Sequence, residues 1–149
     1  MHALKPAVKT NPEPCVCSQL RRTARLVTQF YDEAIVPSGI SVTQYALLAR
    51  IGRTDGLSRT ALAAQLGMER TTLTRNLGPL ERAGLVTSKQ GEDRREKFLQ
   101  LTPVGRRQAA AAQARWTRAQ DKMLKHLGLE RWHQLLELLT LSEEVLKLS

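Results

Sequence analysis

The stretch from Leu57 to Leu101 admits few folds. Leu57 and Ser58 open a short segment, RTALAAQL, in which Ser58 suits the N-cap and Leu57 and Leu62 suit the N′ and N4 positions of a hydrophobic staple. Gly67 breaks that helix, and a second starts at once in ERTTLTRNLGPLERAG, with Leu73, Leu77 and Leu80 along one edge. Two short helices joined by a glycine turn fit a helix-turn-helix, but equally a plain helical hairpin inside an all-α bundle. The next residues decide between them. LVTSK (85–89) and EKFLQL (96–101) alternate as strands do, and QGEDRR between them carries Gly91 to turn the chain. A helix-turn-helix running directly into a β-hairpin is a winged helix.

The flanks read as helices. A first helix is expected from about Cys17 to Val36, with Leu20, Ala24, Val27, Tyr31 and Ile35 on one stripe, ended by PSG at 37–39. Ser41 with Gln44 three residues on forms a capping box for a second helix through VTQYALLARI. After the hairpin, Thr102 as N-cap and Pro103 at N1 start a long helix to Leu127, stopped by Gly128. Its middle, AAAAQA, is small enough to let another helix approach. The last helix, 129–148, is apolar on more than one face through Leu129, Trp132, Leu135, Leu136, Leu139, Leu141, Val145 and Leu146. A terminal helix of this kind must be buried against something, and a second copy of the chain is the economical partner. The fold class expected is therefore mainly α with a small β-hairpin wing. Residues 41–101 form the winged helix, residues 15–40 and 102–149 a helical dimerisation region, and residues 1–14 a disordered tail.

Composition bounds the function. The 149 residues carry a net charge of +9, which favours an acidic partner such as nucleic acid. The charge is spread evenly, however. Residues 15–53 hold five basic and two acidic residues, and residues 58–101 and 102–149 each hold eight and five, a net of +3 in every segment. The case for DNA must then rest on where particular arginines sit. No apolar run reaches the ~20 residues that span a bilayer, and the first 15 residues lack the apolar core of a secretory signal. No membrane partner is expected, and a cytoplasmic location is. There is no phosphate-binding loop, no metal-ligand cluster and no nucleophile with a partnered base, so neither an enzyme nor a cofactor is expected.

In ISVTQYALLARI, LAAQLGMERTTLTRNLGPLERAGLV and EDRREKFLQLTPVGRR, taken in that order and spacing, the chain resembles the MarR family of winged-helix transcription regulators over residues 15–149. The resemblance implies a homodimer whose first and last helices interlock and whose winged helices straddle a pseudo-palindrome. It implies a repressor released by a small ligand or by oxidation. Glu69 departs from the Ser or Asp common at that place, and is a weaker cap.

A recognition helix presents its N-terminal side chains to base edges in the major groove. With the leucine edge inward, Arg70, Thr71, Thr72, Thr74, Arg75 and Asn76 face outward. Arg pairs with guanine, Asn with adenine, and a Thr methyl packs on thymine. Ser58 and Arg59 can reach phosphates and set register, with Arg50 and Arg53 either assisting or simply solvated. In the wing, an arginine entering the minor groove meets a strongly negative potential and needs orienting. Asp93 and Arg95 have the Asp-x-Arg spacing of the family, so Asp93 aims by a bidentate pair and Arg94 or Arg95 reaches. The alternative is a surface ion pair of about 0–1 kcal/mol.

The resemblance also implies a ligand crevice between the dimer helices and the winged helix, lined here by Arg25, Tyr31, Tyr45, Leu48 and Trp116, with the arginine suiting an aromatic or anionic effector. The competing reading is that aromatics at helical spacing are core. Cys15 and Cys17 raise an alternative function, a thiol-based redox sensor. A helix N-terminus lowers a thiol pKa, and Arg21 and Arg22 lie close to Cys17 in sequence. A disulfide within C-x-C is strained, so pairing across a dimer suits it better. The competing reading is two inert thiols. Zinc held by this pair with His126 or His133 fits poorly, because C-x-C is not the usual ligand spacing.

Overall fold

A computed structural model describes residues 14–147. The expected disordered tail lies almost wholly outside those residues. The chain runs α1 (Val16–Ile35), a single 3-10 turn (Val36–Ser38), α2 (Val42–Gly52), α3 (Arg59–Leu66), α4 (Arg70–Arg82), β1 (Val86–Gln90), β2 (Lys97–Leu101), α5 (Pro103–Leu127) and α6 (Leu129–Lys147). The mainly helical fold with one antiparallel hairpin is the one expected.

The local signals work as their chemistry requires. The capping box at α2 is closed in both directions: the Gln44 N–H donates to Ser41 Oγ at 3.1 Å, and the Ser41 N–H to Gln44 Oε1 at 3.0 Å. The Ala61 N–H donates to Ser58 Oγ at 3.1 Å, and the Gly105 N–H to Thr102 Oγ1 at 3.0 Å. Gly67 ends α3 in the left-handed region, at φ 60°, where a side chain would be strained. Glu69 makes no side-chain cap.

Three strand ends differ from expectation by one residue: β1 runs on to Gln90, which pairs with Lys97, and both strands start one residue late. Leu85 is claimed by the helix before it, its N–H donating to Leu80 O, and by the helix after it, its carbonyl accepting from the Thr102 N–H at 3.0 Å. It cannot also pair with β2, so β1 starts at Val86, opposite Leu101. Glu96 belongs to the turn, because its N–H donates to Asp93 O at 2.9 Å. Leu57 does more than staple a helix. Its carbonyl accepts from the Leu99 N–H at 2.8 Å, adding a one-residue bridge to the far side of β2.

The core is one cluster centred on the winged helix, with Ile35 of α1 and Ala112 of α5 also buried in it. Leu47, Leu48 and Ile51 of α2, Leu62 of α3, Leu73, Leu77 and Leu80 of α4, and Leu99 of β2 are buried together. Outside it the chain is uncovered. α6 has no buried residue, and Leu138, Val145 and Leu146 stand 62%, 55% and 75% exposed. On α1 only Tyr31 and Ile35 of the expected stripe are buried, while Leu20 and Val27 remain open.

α5 is tied to the wing where Gly105 crosses Leu85. A β-carbon at Gly105 would lie 2.0 Å from the Leu85 carbonyl oxygen, which is rigid backbone already bonded to Thr102. Gly105→Ala is therefore expected to destabilise by about 3 kcal/mol, the upper end of the overpacking range. A lowered midpoint in urea denaturation checks it, and an unchanged midpoint contradicts it.

Candidate nucleic-acid interface

The leucine edge of α4 fixes which side chains it displays. With Leu73, Leu77 and Leu80 buried, Arg70, Thr71, Thr74 and Arg75 are fully exposed and together form a shallow notch on the surface. Thr72 and Asn76 are half-buried on the flank. Two of the six polar groups are also turned onto their own helix: Asn76 Nδ2 donates to Thr72 O and Thr74 Oγ1 to Arg70 O, each at 2.9 Å. The two arginines carry no such restraint among the described residues.

On the neighbouring α3, Ser58 Oγ is occupied as the N-cap acceptor. The Arg59 guanidinium pairs with Glu81 in the last turn of α4, the only ion pair among the described residues that joins two elements. The pair is half exposed, so it contributes little to stability in water. It does set the direction of Arg59, which the sequence left open. Arg50 is half-buried and Arg53 exposed.

The wing tip is a tight turn from Asp93 to Glu96, closed by the Glu96 N–H donating to Asp93 O. Arg94 and Arg95 occupy its two central positions, both exposed. Asp93 works differently from the expected bidentate pair. Its Oδ1 accepts from the backbone N–H of Arg95 at 3.1 Å, and no ion pair joins it to either guanidinium. A short acidic side chain bonding to the backbone two residues on is an Asx turn, which stiffens the tip. Gln90 Nε2 adds a bond to Arg94 O at 3.0 Å. Gly91 does not make the turn. It pairs across to Glu96, and its missing β-carbon leaves room for the Phe98 ring, which would otherwise be 2.6 Å away.

A sequence model of the MarR family matches residues 38–96, from the end of the first helical segment to the wing. The chain is similar to MosR of M. tuberculosis, solved in complex with DNA, at 38% identity and a TM-score of 0.77 over 89% of this chain and 98% of that one. The chain belongs to the MarR family. CouR bound to a 23-mer DNA duplex is also similar, at 27% identity and a TM-score of 0.78 over 87% of this chain and 92% of that one. A Bacillus subtilis HTH-type transcriptional regulator, YwoH, is 26% identical over 106 residues, covering 71% of this chain and 77% of that protein. This MarR-family chain is thus a DNA-binding transcription regulator. Its fold and family are those of regulators rather than enzymes. Among the described residues no helix is long and apolar enough to cross a membrane.

The five crevice residues do not converge on one cavity. Tyr45 and Leu48 line a groove of ≈ 230 Å³ between α2 and α5 with Gly52, Arg53, Arg106 and Gln113. Arg25 lines a separate, open groove along α1. Trp116 backs onto Tyr45, ring centroids 6.1 Å apart. Tyr31 is buried, its hydroxyl donating to Gln120 Oε1. Burial raises both tyrosine pKa values above the ordinary 10.0, with the Arg53 charge partly opposing the rise at Tyr45.

Both cysteines are exposed and free. Cys15 is the N-cap of α1 and makes no cap hydrogen bond as a thiol. Its thiolate is nevertheless favoured, first by the Ser18 N–H, then by the Ser18 hydroxyl and the Cys17 N–H, so its pKa is lowered.

A raised tyrosine pKa in the folded state means stability that is full below the unfolded value and lost as pH rises through the folded one. Stability is expected to fall above pH 10, and less so in the Tyr31→Phe, Tyr45→Phe double variant. Equal slopes in denaturation midpoint against pH would contradict this.

Proposed function

We propose that this regulator is a homodimeric repressor that reads a pseudo-palindromic operator through α4 and the wing, and that a small ligand releases it. The observation that carries the reading is the wing tip. Two arginines sit at the apex of a turn whose backbone is already fixed by Asp93 and Gln90, so only their side chains remain to be ordered on entering a minor groove. Residues 41–101 act as the reading head. Arg70, Thr71, Thr72, Thr74, Arg75 and Asn76 face the major groove, with Arg70 and Arg75 the freest to reach base edges. Ser58 and Arg59 lie where phosphates of the flanking strand would pass, and Arg59 would exchange Glu81 for a phosphate there.

The dimer is supported by what one chain leaves uncovered. α6 is leucine-rich and buries nothing, and the α1 stripe is half open. Residues 15–40 and 102–149 supply this surface. CouR has been solved with p-coumaroyl-CoA as well as with DNA. In this chain the groove beside Tyr45 is the best-supported effector site. Arg53 and Arg106 at its edge have no ion-pair partner among the described residues, and Leu48 and Ala49 supply apolar wall. Its ≈ 230 Å³ is below the ~300–1,000 Å³ of drug-sized pockets, so a small aromatic anion suits it.

A second reading is favoured by Cys15. A thiolate is the form that peroxide oxidises, giving a sulfenic acid and hydroxide, which takes a proton from solvent to become water. Condensation with a second thiol, from Cys17 or from a partner chain, would yield a disulfide and a further water.

Arg95→Ala is expected to weaken operator binding about tenfold at matched salt while leaving the dimer intact. Asp93→Asn, which keeps the oxygen acceptor, should bind like the parent, and Asp93→Ala should not. Unchanged affinity in Arg95→Ala sinks the wing, and equal loss in both Asp93 variants would favour an ion pair over an Asx turn. For the second reading, a Cys15→Ser, Cys17→Ser protein should keep its DNA under peroxide. Release from that double variant removes the cysteines from the mechanism.

A further inference from the structure

Arg82, at the last position of α4, lies outside the expected contact set. Its side chain does not point off the helix end. It folds back one turn and lies flat over Gly78: a β-carbon there would be 3.1 Å from Arg82 Nη1, 3.9 Å from Cζ and 4.0 Å from Nη2. Thr71, Arg75, Gly78 and Arg82 follow at spacings of four, three and four, so they share the side of α4 opposite its buried leucines. Arg82 is exposed and has no ion pair among the described residues, because the adjacent Glu81 is taken by Arg59.

We propose that Arg82 is a further DNA-contacting residue, a phosphate clamp at the far lip of the major groove, and that Gly78 positions it. The inference rests on the reading of α4 as the groove element. Gly78 is eight residues from Arg70, which at about 1.5 Å per residue is about 12 Å along the helix. The major groove is also about 12 Å wide. With Arg70 reaching base edges, a guanidinium level with Gly78 lies about 12 Å further along α4, where the backbone phosphates bordering the groove pass. Extended past the helix end, the same guanidinium would overshoot them. A glycine inside a helix is unfavourable relative to alanine, so its place here calls for a reason. One is Pro79, since a residue before proline is crowded in a helix and glycine is crowded least. The bed for Arg82 is a second, independent one. A cation in the last turn also favours the helix dipole, but that role requires no fold-back over position 78.

A phosphate contact carries no sequence information, so its loss weakens operator and non-operator DNA alike. The test is binding to both across a salt series, for Arg82→Ala, Gly78→Ala and Arg75→Ala, with thermal midpoints confirming each fold. Arg82→Ala should lower the slope of log affinity against log salt by about 0.9 and bind roughly 5–10-fold more weakly at 0.1 M salt on both DNAs. Gly78→Ala should move in the same direction while remaining folded, because the new methyl lifts the guanidinium. A parental slope in Arg82→Ala overturns the clamp. A parental slope in Gly78→Ala assigns the glycine to Pro79 alone and overturns the positioning. If Arg75→Ala loses operator affinity while Arg82→Ala does not, this inference fails and the groove reading stands. If neither variant loses affinity, the groove reading itself fails.

Discussion

The packing of Leu73, Leu77 and Leu80 against α2 is the contact on which the rest depends. Each of these side chains is at most 3% exposed, and Leu47, Leu48 and Ile51 of α2 share their cluster. Full burial of a leucine is worth about 1.5–3 kcal/mol, so three of them hold α4 to one rotation about its axis. That rotation determines which residues face outward. A helix turned by half would bury Arg75 and expose Leu77, and the arginine-bearing side would be lost. The same cluster includes Leu99 and Leu101, so the wing is held relative to α4 by the core that holds α4 itself.

The winged helix and the helical arms differ in how complete they are. The first has a closed core. The second has long apolar faces with nothing on them. The two are joined through the core itself, since Ile35 of α1 and Ala112 of α5 are buried in the cluster that holds Leu47 and Leu48, and through polar links. Asp32 of α1 accepts from the Val42 N–H at the start of α2, and Thr102 Oγ1 donates to Gly84 O, while Gln108 to Ser38 O and Tyr31 to Gln120 tie the arms to each other. The first two bonds, the shared core and the Gly105–Leu85 crossing are the joints between the arms and the winged helix. The groove beside Tyr45 lies between α2 of the winged helix and α5 of the arms. On the reading proposed above, a ligand there changes the spacing of two winged helices only if it binds two arrangements of α2 against α5 with different affinity.

Most of the architecture was legible in the sequence, because it is written in local chemistry. Ser41, Ser58 and Thr102 are caps wherever they sit, and a leucine edge at helical spacing declares which face is buried. What was not legible depends on side chains meeting across elements. Arg59 turning to Glu81, Leu57 bridging to Leu99, and Asp93 bonding to backbone rather than guanidinium follow from tertiary placement, not from spacing. Gly91 looked like a turn residue and proved to be space for Phe98. The grouping of Arg25, Tyr31, Tyr45, Leu48 and Trp116 was also beyond reach. Shared helical phase puts residues on one face, but only the crossing of α1, α2 and α5 decides which cavity each meets. One signal bearing on Arg82 is in the sequence: a glycine one turn before it, on the side of α4 opposite the leucines.

The central claim is that two copies of this chain read one DNA, with α4 in the major groove and the wing in the adjacent minor groove. Dimethyl sulfate footprinting of the operator tests it most directly, because the reagent marks guanine N7 in the major groove and adenine N3 in the minor groove. The expected result is two symmetric half-sites about 10 base pairs, or a multiple of that, apart. Each should protect guanine N7 at its centre and adenine N3 at its flank. A single asymmetric footprint, or N7 protection with every flanking N3 left reactive, would contradict the account.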